Sequence, residues 1–214
     1  MAVHLTKIYT RTGDDGTSGL GDFSRVVKTD PRLVAYADAE EANAAIGVAL
    51  ALGALREDLA TVLRRVQNDL FDVGADLCMP IVAQRDQTQR DQTQRDQTQR
   101  DQTQRDQTQP KRPLRITDGY VTRLEGWCDE FNAALSKLDS FILPGGTPGA
   151  ALLHTARVVV RRAERSTWAV LEADPERTNP VTARYLNRLS DLLFILCRVA
   201  NPDGDMLWKP GGDR

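Results

Sequence analysis

The chain has 214 residues, 28 of them Lys or Arg and 30 Asp or Glu, for a formal net charge of −2. Near neutrality removes the electrostatic basis for broad binding to nucleic acid or anionic membranes, so any local cluster of charge points toward a small ligand. No apolar run approaches the ~20 residues of a membrane span, and the start "MAVHLTKIYTRTG" lacks the basic and apolar regions of a signal peptide, so a cytoplasmic protein is expected.

In chain order, the first segment, 10–21, carries Gly13, Gly16, Gly19 and Gly21 among Thr, Ser and Asp residues. Residues 31–52 are Ala-rich, with Leu33, Tyr36, Ala37, Ala44 and Gly47 at helical spacing. Residues 56–79 repeat the pattern through Leu59, Val62, Leu63, Val66, Leu70, Phe71 and Leu77, and stop at Pro80. Then "RDQTQ" occurs five times in tandem over 85–109. Each copy has no apolar residue and cancels its own charge, and its period fits neither helix nor strand. A disordered loop without a direct functional role is expected there. A third helix is expected over 117–138, through Val121, Leu124, Trp127, Cys128, Phe131 and Leu135. After a second glycine-rich stretch, "FILPGGTPG" at 141–149, comes a helix over 148–173, with Thr147 as N-cap and Pro148 at its first position. The last helix covers 180–200, through Leu186, Leu189, Leu193, Leu196 and Val199, and leaves 201–214 as a tail with Trp208. With no alternating β-branched strands, the chain reads as an all-α five-helix bundle with a glycine-rich N-terminal loop, in one domain spanning 1–214. Cys78, Cys128 and Cys197 are widely spaced and read as reduced thiols, and with only His4 and His154 a histidine-ligated metal site is not expected.

Three pieces carry chemistry. In "LHTARVVVRRAERSTW", 153–168, the side chains of His154, Arg157, Arg161, Glu164, Arg165 and Trp168 fall within an arc of about 100° at helical spacing. An apolar sector of Leu153, Ala156, Val159, Val160, Ala163, Val170 and Leu171 adjoins them, and Arg162 alone points off the stripe. Ordinary surface ion pairing accounts for many such runs. Here Arg is used without Lys, and the guanidinium fork suits two-point recognition of phosphate or carboxylate, so an anionic ligand is the sharper reading. The second piece is "YTRTGDDGTSGLGD". Its glycines can bring N–H groups close to a ligand, Thr10, Thr12, Thr17 and Ser18 add hydroxyls, and Asp14 and Asp15 could hold Mg²⁺. Lys28 follows at a distance that could return to the same phosphates. This is not a Walker A loop, because Asp22 and Phe23 stand where Lys and Ser/Thr belong, and a flexible polar arm is the alternative. The third piece, "RYLNRLSDLLF" at 184–194, spaces Arg188 and Asp191 for a helix ion pair. It also puts Asn187 where a ligand or interhelix hydrogen bond is needed.

Taken in order, "KIYTRTGDDGTSGL", "RVQNDLFDVGADL", "FILPGG", "LHTARVVVRRAER" and "YLNRLSDLLF" resemble the ATP:cob(I)alamin adenosyltransferases of the propanediol-utilisation type. The likeness covers nearly the whole chain apart from the repeats and the tail. It implies a homotrimer of helical bundles with active sites where neighbouring subunits meet. ATP would lie between the N-terminal loop of one subunit and the arginine helix of the next. By that likeness Thr10, Arg11, Thr12, Gly13, Ser18, Gly19, Lys28, Arg161, Arg162, Ala163, Glu164, Arg165 and Asn187 hold ATP, with Arg161 at the triphosphate and Glu164 linked to Mg²⁺. Phe141 would shape the corrin side, where the lower axial base of cobalamin is displaced before reduction to Co(I). Arg157 would pair across the interface with a carboxylate of the first helix. There the family reads G-x-x-D-E-L-N, whereas this chain reads "ADAEEAN" over 37–43, with Glu40 in place of the usual Asp.

The implied reaction is attack of Co(I) on C5′ of ATP, giving adenosylcobalamin and triphosphate in cobalamin biosynthesis or salvage. Cobalt supplies the nucleophile, so the protein needs positioning and charge stabilisation rather than a general base, which suits a chain with so few histidines. A reductase that supplies Co(I) and an acceptor enzyme that uses adenosylcobalamin are implied partners. Two other readings stand beside this one. A non-catalytic nucleotide- or cobalamin-binding delivery protein would bind both molecules without product, and a purely structural bundle would show no ATP-dependent thermal shift.

Overall fold

The structure, a computed structural model, describes residues 9–81 and 113–211. The repeats at 85–109, and with them their expected disorder, lie outside the described residues, as does His4. Three of the helices begin with the same device, a polar cap followed by proline, which spends the missing proline N–H where no intrahelical partner exists. In α1 (Pro31–Leu52) the Asp30 carboxylate accepts from the Arg32 N–H at 2.8 Å. The helix over Pro148–Ala173 is capped by Thr147 Oγ1, which accepts from Ala150 N–H at 3.1 Å. The one over Pro180–Val199 is capped by Asn179 Oδ1, which accepts from Val181 N–H at 3.1 Å. Between α1 and these lie α2 (Glu57–Cys78) and α3 (Asp118–Asn132), so the last two are α4 and α5. No side chain caps α2, but Glu57 and Asp58 sit in its first turn, where the helix dipole favours negative charge.

The five α-helices of the described residues form the expected bundle, with α1 against α2 and α4, and α5 against α3 and α4. None of them is long and apolar enough to cross a membrane. Its core is built from Leu59, Leu63, Val66 and Leu77 of α2, Leu153 and Val160 of α4, and Leu186, Leu189, Leu193 and Leu196 of α5. Each fully buried leucine contributes about 1.5–3 kcal/mol by leaving water. Along the α1–α4 seam the buried residues are small: Ala35, Ala39, Ala42 and Ala49 face Ala156 and Ala163, all at 0% exposure. The seam closes at Gly53 and Gly149, where a Cβ on Gly149 would sit 2.7 Å from the Gly53 carbonyl oxygen.

The structure departs from the sequence reading at four points. Residues 17–19 and 25–27 form an antiparallel hairpin, β1 (Thr17–Gly19) with β2 (Arg25–Val27), in the register Thr17↔Val27. Strands of three residues are too short for alternation to register, and the turn is set by Asp22, whose carboxylate accepts from the Ser24 N–H at 3.0 Å. The buried face of α1 is Ala35, Ala39, Ala42, Ile46 and Ala49, while Tyr36, Ala37 and Ala44 point outward. In so Ala-rich a helix the two faces have little contrast. Phe71 is 76% exposed rather than part of the core. Finally, α3 ends at Asn132 rather than near 138, and the Ser136 carbonyl beyond it accepts from Arg198 Nη2 at 2.8 Å.

One buried carboxylate sits where the chain leaves and re-enters around the repeats. Asp76, 2% exposed, accepts from Arg115 Nη1 at 2.6 Å, Ile116 N–H at 2.8 Å and Asn179 Nδ2 at 2.6 Å. Arg115 also donates to the Met79 carbonyl, and Ile81 N–H donates to the Arg177 carbonyl at 2.9 Å. Both stems are thus fixed by the bundle. Two outcomes are expected. Asp76→Ala lowers the unfolding free energy by about 3–5 kcal/mol in urea titration, because Arg115 is left without its buried partner. Deleting 85–109 leaves the helical circular dichroism and the urea midpoint nearly unchanged, since each doubling of loop length changes closure by only ~0.6 kcal/mol.

Candidate active site

The glycine-rich loop is held by its own short-range bonds. Asp15 Oδ1 accepts from the Thr17 N–H at 3.0 Å and the Thr17 hydroxyl at 2.7 Å, and these bonds hold its carboxyl below the usual range. Gly16, at φ +78°, turns the chain so that its carbonyl accepts from the Lys28 N–H at 2.9 Å. The Lys28 ammonium lies over Gly13, where an added Cβ would meet Nζ at 3.2 Å. Thr10 and Thr12 hydroxyls share a hydrogen bond at 2.9 Å, and Arg11 lies 5.7 Å over the Tyr9 ring. Ser18 and Gly19 are in β1. Arg25, which sequence reasoning did not single out, donates to the Thr12 carbonyl and the Thr17 hydroxyl and ties the loop to the hairpin. Lys28, Thr12 and Gly13 therefore form one local cluster, as expected. Asp15 Oδ1 is taken up by Thr17 and Arg25.

On α4 the angular separation of the arginines becomes a separation of partners. Arg162, off the stripe, pairs with Asp38 at 3.1 Å and with Glu41 of α1, and the same bond holds the Glu41 carboxyl below its ordinary range. Among the described residues, Arg161 and Arg165 pair with no acid and are exposed. Between them on the stripe, Glu164 Oε1 accepts from Asn187 Nδ2 of α5 at 3.0 Å, the interhelix bond expected of Asn187. Ala163 is fully buried in the α1–α4 seam, so its side chain offers no surface to a ligand. Arg188 makes the expected pair with Asp191 at 2.7 Å and a second with Glu125 at 3.1 Å. Arg157 lies 5.6 Å over the Phe194 ring, and its buried Nε has no hydrogen-bond partner.

Among the described residues, no hydrogen bond or ion pair joins residues 10–19 to the arginine stripe. Within one chain the loop and the stripe are thus not joined to each other. For Mg²⁺, no group of three or more His, Cys, Asp or Glu occurs among the described residues.

A third region surrounds Phe141, which is 79% exposed. The tail folds back onto it: Trp208 N–H donates to the Phe141 carbonyl at 2.7 Å, Leu143 N–H donates to the Met206 carbonyl at 2.7 Å, and Ile142 bridges Leu207. The Trp208 ring stands edge-on to Phe141 with centroids 6.1 Å apart. This pairing joins segments more than sixty residues apart, and no local sequence signal announces it. Burial pushes the Cys197 thiol up to about 12 and the Cys128 thiol up to about 11, so neither supplies a thiolate nucleophile near neutral pH.

Known proteins resemble this chain over most of its length. The family model for cobalamin adenosyltransferase matches residues 8–200. A corrinoid adenosyltransferase of Mycobacterium tuberculosis is 61% identical over 215 residues, covering 100% of this chain and 98% of that protein. One from Bacillus subtilis is 36% identical over 198 residues, covering 91% and 86%. Among solved structures, a variant PduO-type ATP:corrinoid adenosyltransferase from Lactobacillus reuteri, complexed with cobalamin and ATP, has a TM-score of 0.73 at 30% identity. It covers 95% of this chain and 100% of its own.

His154 gives this region a pH signature. It is 3% exposed with neither ring nitrogen hydrogen-bonded, and burial, then the Arg157 charge, hold its pKa below the ordinary 6.5, against a smaller opposing pull from Asp205. The folded state therefore resists a proton that the unfolded chain accepts, so stability falls as pH drops from 6.5 toward the folded pKa. In melting curves across that window, His154→Leu is expected to flatten the decline in Tm relative to the parent chain.

Proposed function

The chain belongs to the cobalamin adenosyltransferase family, and from that premise we propose how its residues divide the work of the reaction. The enzyme transfers the 5′-deoxyadenosyl group of ATP to cob(I)alamin, giving adenosylcobalamin and triphosphate. The Co(I) lone pair attacks C5′, the C5′–O bond breaks, and the bonding pair leaves on the triphosphate. No proton moves in that step, so none of the chain's side chains acts as acid or base. What the step needs is a fixed line from cobalt through C5′ to the leaving oxygen, and cations where the leaving charge grows.

The observation that carries the assignment is the pair of unneutralised guanidiniums, Arg161 and Arg165, flanking the Glu164–Asn187 bond on one face of α4. Arg161 acts on the triphosphate, and Arg165 and Lys28 supply further positive charge. Thr10, Arg11, Thr12, Gly13, Ser18 and Gly19 form the opposing wall. Glu164, oriented by Asn187, would hold Mg²⁺, which would supply neutralisation of phosphate charge. Arg162 acts as a strut between α4 and α1, since both of its acidic partners are within its own subunit.

The assembly is a homotrimer, with the loop of one subunit facing the stripe of the next. The lack of a bond between loop and stripe within one chain supports this, as do the exposed Val34, Tyr36 and Val48 of α1 and Val158 of α4. At that interface Arg157, whose Nε lacks a partner, pairs with Glu40 of the neighbour. Phe141, with Trp208 against it, forms the corrin side and keeps the lower axial base away from cobalt. A reductase supplies Co(I), an adenosylcobalamin-dependent enzyme takes the product, and a cytoplasmic setting suits the free cysteines.

The decisive measurement is formation of adenosylcobalamin from reduced cobalamin and Mg-ATP. Saturable binding of both without product would return the delivery-protein reading. Arg161→Ala is expected to reduce kcat/KM for ATP by about 2–3 kcal/mol in transition-state free energy without changing the fold, because charge-assisted phosphate bonds are worth ~1.5–3 kcal/mol each. Unchanged kinetics would remove Arg161 from the triphosphate site.

A further inference from the structure

We infer that the buried Arg198–Asp205 pair is a positioning device for Phe141, acting on the corrin side of the site through the tail. The inference rests on the reading of Phe141 given above. At 79% exposure, Phe141 has almost no core contact to fix it. Its place is set by the tail strand, through Trp208 N–H to the Phe141 carbonyl, Leu143 N–H to the Met206 carbonyl, the Ser140 hydroxyl to the Trp208 carbonyl at 3.1 Å, and the edge-on Trp208 ring. That strand is itself mostly in solvent, with Met206, Leu207 and Trp208 at 59%, 44% and 41% exposure. A two-stranded pairing of this length is not stable alone, so something must hold it to the bundle.

Asp205 is the side chain placed to do so. Its Oδ2 accepts from Arg198 Nε at 2.8 Å, with the two side chains 10% and 7% exposed. Its Oδ1 is buried without a hydrogen-bond partner, so the pairing of this carboxylate falls on Arg198 alone. Arg198, in the last turn of α5, also donates through Nη2 to the Ser136 carbonyl at 2.8 Å. One guanidinium therefore grips both the chain that leads into Phe141 and the tail that lies against it. On the far side, Asn201 accepts from Thr147 N–H at 2.9 Å and donates to the Gly145 carbonyl at 3.3 Å. Gly146, at φ +95°, passes so close to Asn201 that a Cβ there would lie 2.2 Å from Oδ1. The Phe141 segment is pinned at both ends, and Arg198–Asp205 is the charged pin.

The test uses the full chain with Mg-ATP and cob(II)alamin, reading by visible absorption and electron paramagnetic resonance the fraction of cobalamin whose lower axial base is off cobalt. Asp205→Asn keeps the side-chain volume and weakens the pin. It is expected to lower that fraction and to reduce kcat by about tenfold, the size expected for loss of one charged hydrogen bond, with KM for ATP within about twofold. Arg198→Lys, which keeps the charge but cannot reach both partners, is expected to fall between Asp205→Asn and the parent. A folded Asp205→Asn protein with an unchanged base-off fraction overturns the inference, and so does a rise in KM for ATP that matches the loss in kcat. Phe141→Ala runs alongside. If it lowers the base-off fraction and Asp205→Asn does not, the pin is wrong and the corrin reading stands. If Phe141→Ala leaves the fraction unchanged, the corrin reading and the pin fall together.

Discussion

The close approach of α1 and α4 is the constraint on which the rest of the molecule depends. Alanines on both helices let the backbones come together, and the glycines at positions 53 and 149 let the seam end without a clash. Dispersion from small side chains alone would leave α4 free to roll about its axis. The Arg162 ion pairs with Asp38 and Glu41 fix that rotation, because the guanidinium has to meet two acids on α1. Once Arg162 is turned inward toward α1, helical geometry turns Arg161 and Arg165 outward together. The orientation of the unpaired guanidiniums is thereby decided by a paired one.

The same economy extends to the chemistry. A reaction whose nucleophile is a metal centre asks the protein for no proton transfer, and the titratable groups here behave accordingly. The thiols of Cys128 and Cys197 are pushed out of the reactive range by burial, and His154 is kept neutral. The polar contacts that matter are fixed ones, Asn187 on Glu164 and Arg25 on the Thr12 carbonyl, which hold groups in place before any ligand arrives. Preorganisation of this kind costs nothing at the moment of reaction.

Helix existence and most boundaries were legible because leucine and valine contrast sharply with the charged residues between them. α4 and α5 are legible for that reason, and so is α2 apart from the exposed Phe71. α1 is legible as a helix but its buried face is not, since alanine hardly distinguishes core from surface. The hairpin at 17–27 is not legible, because three residues per strand carry too little pattern. In the site, angular placement alone set Arg162 apart from the stripe, and spacing alone gave the Arg188–Asp191 pair. The partners Asp38 and Glu41 lie more than a hundred residues from Arg162, and the clasp of the tail on Phe141 is equally remote in sequence. Contacts of that span are decided by how helices pack, and no local periodicity encodes them.

The Asp76 hub has a consequence for how this chain can change over generations. Its bonds to Arg115, Ile116 and Asn179 settle the geometry on both sides of the intervening stretch before that stretch contributes anything. Chain length at this point is then uncoupled from fold energy. Tandem identical pentapeptides are the product expected when copying slips on a repeated stretch of gene, adding or dropping units. Most places in a compact enzyme would punish such drift through lost packing. Here both stems are fixed by the bundle, and each doubling of loop length alters closure by only ~0.6 kcal/mol.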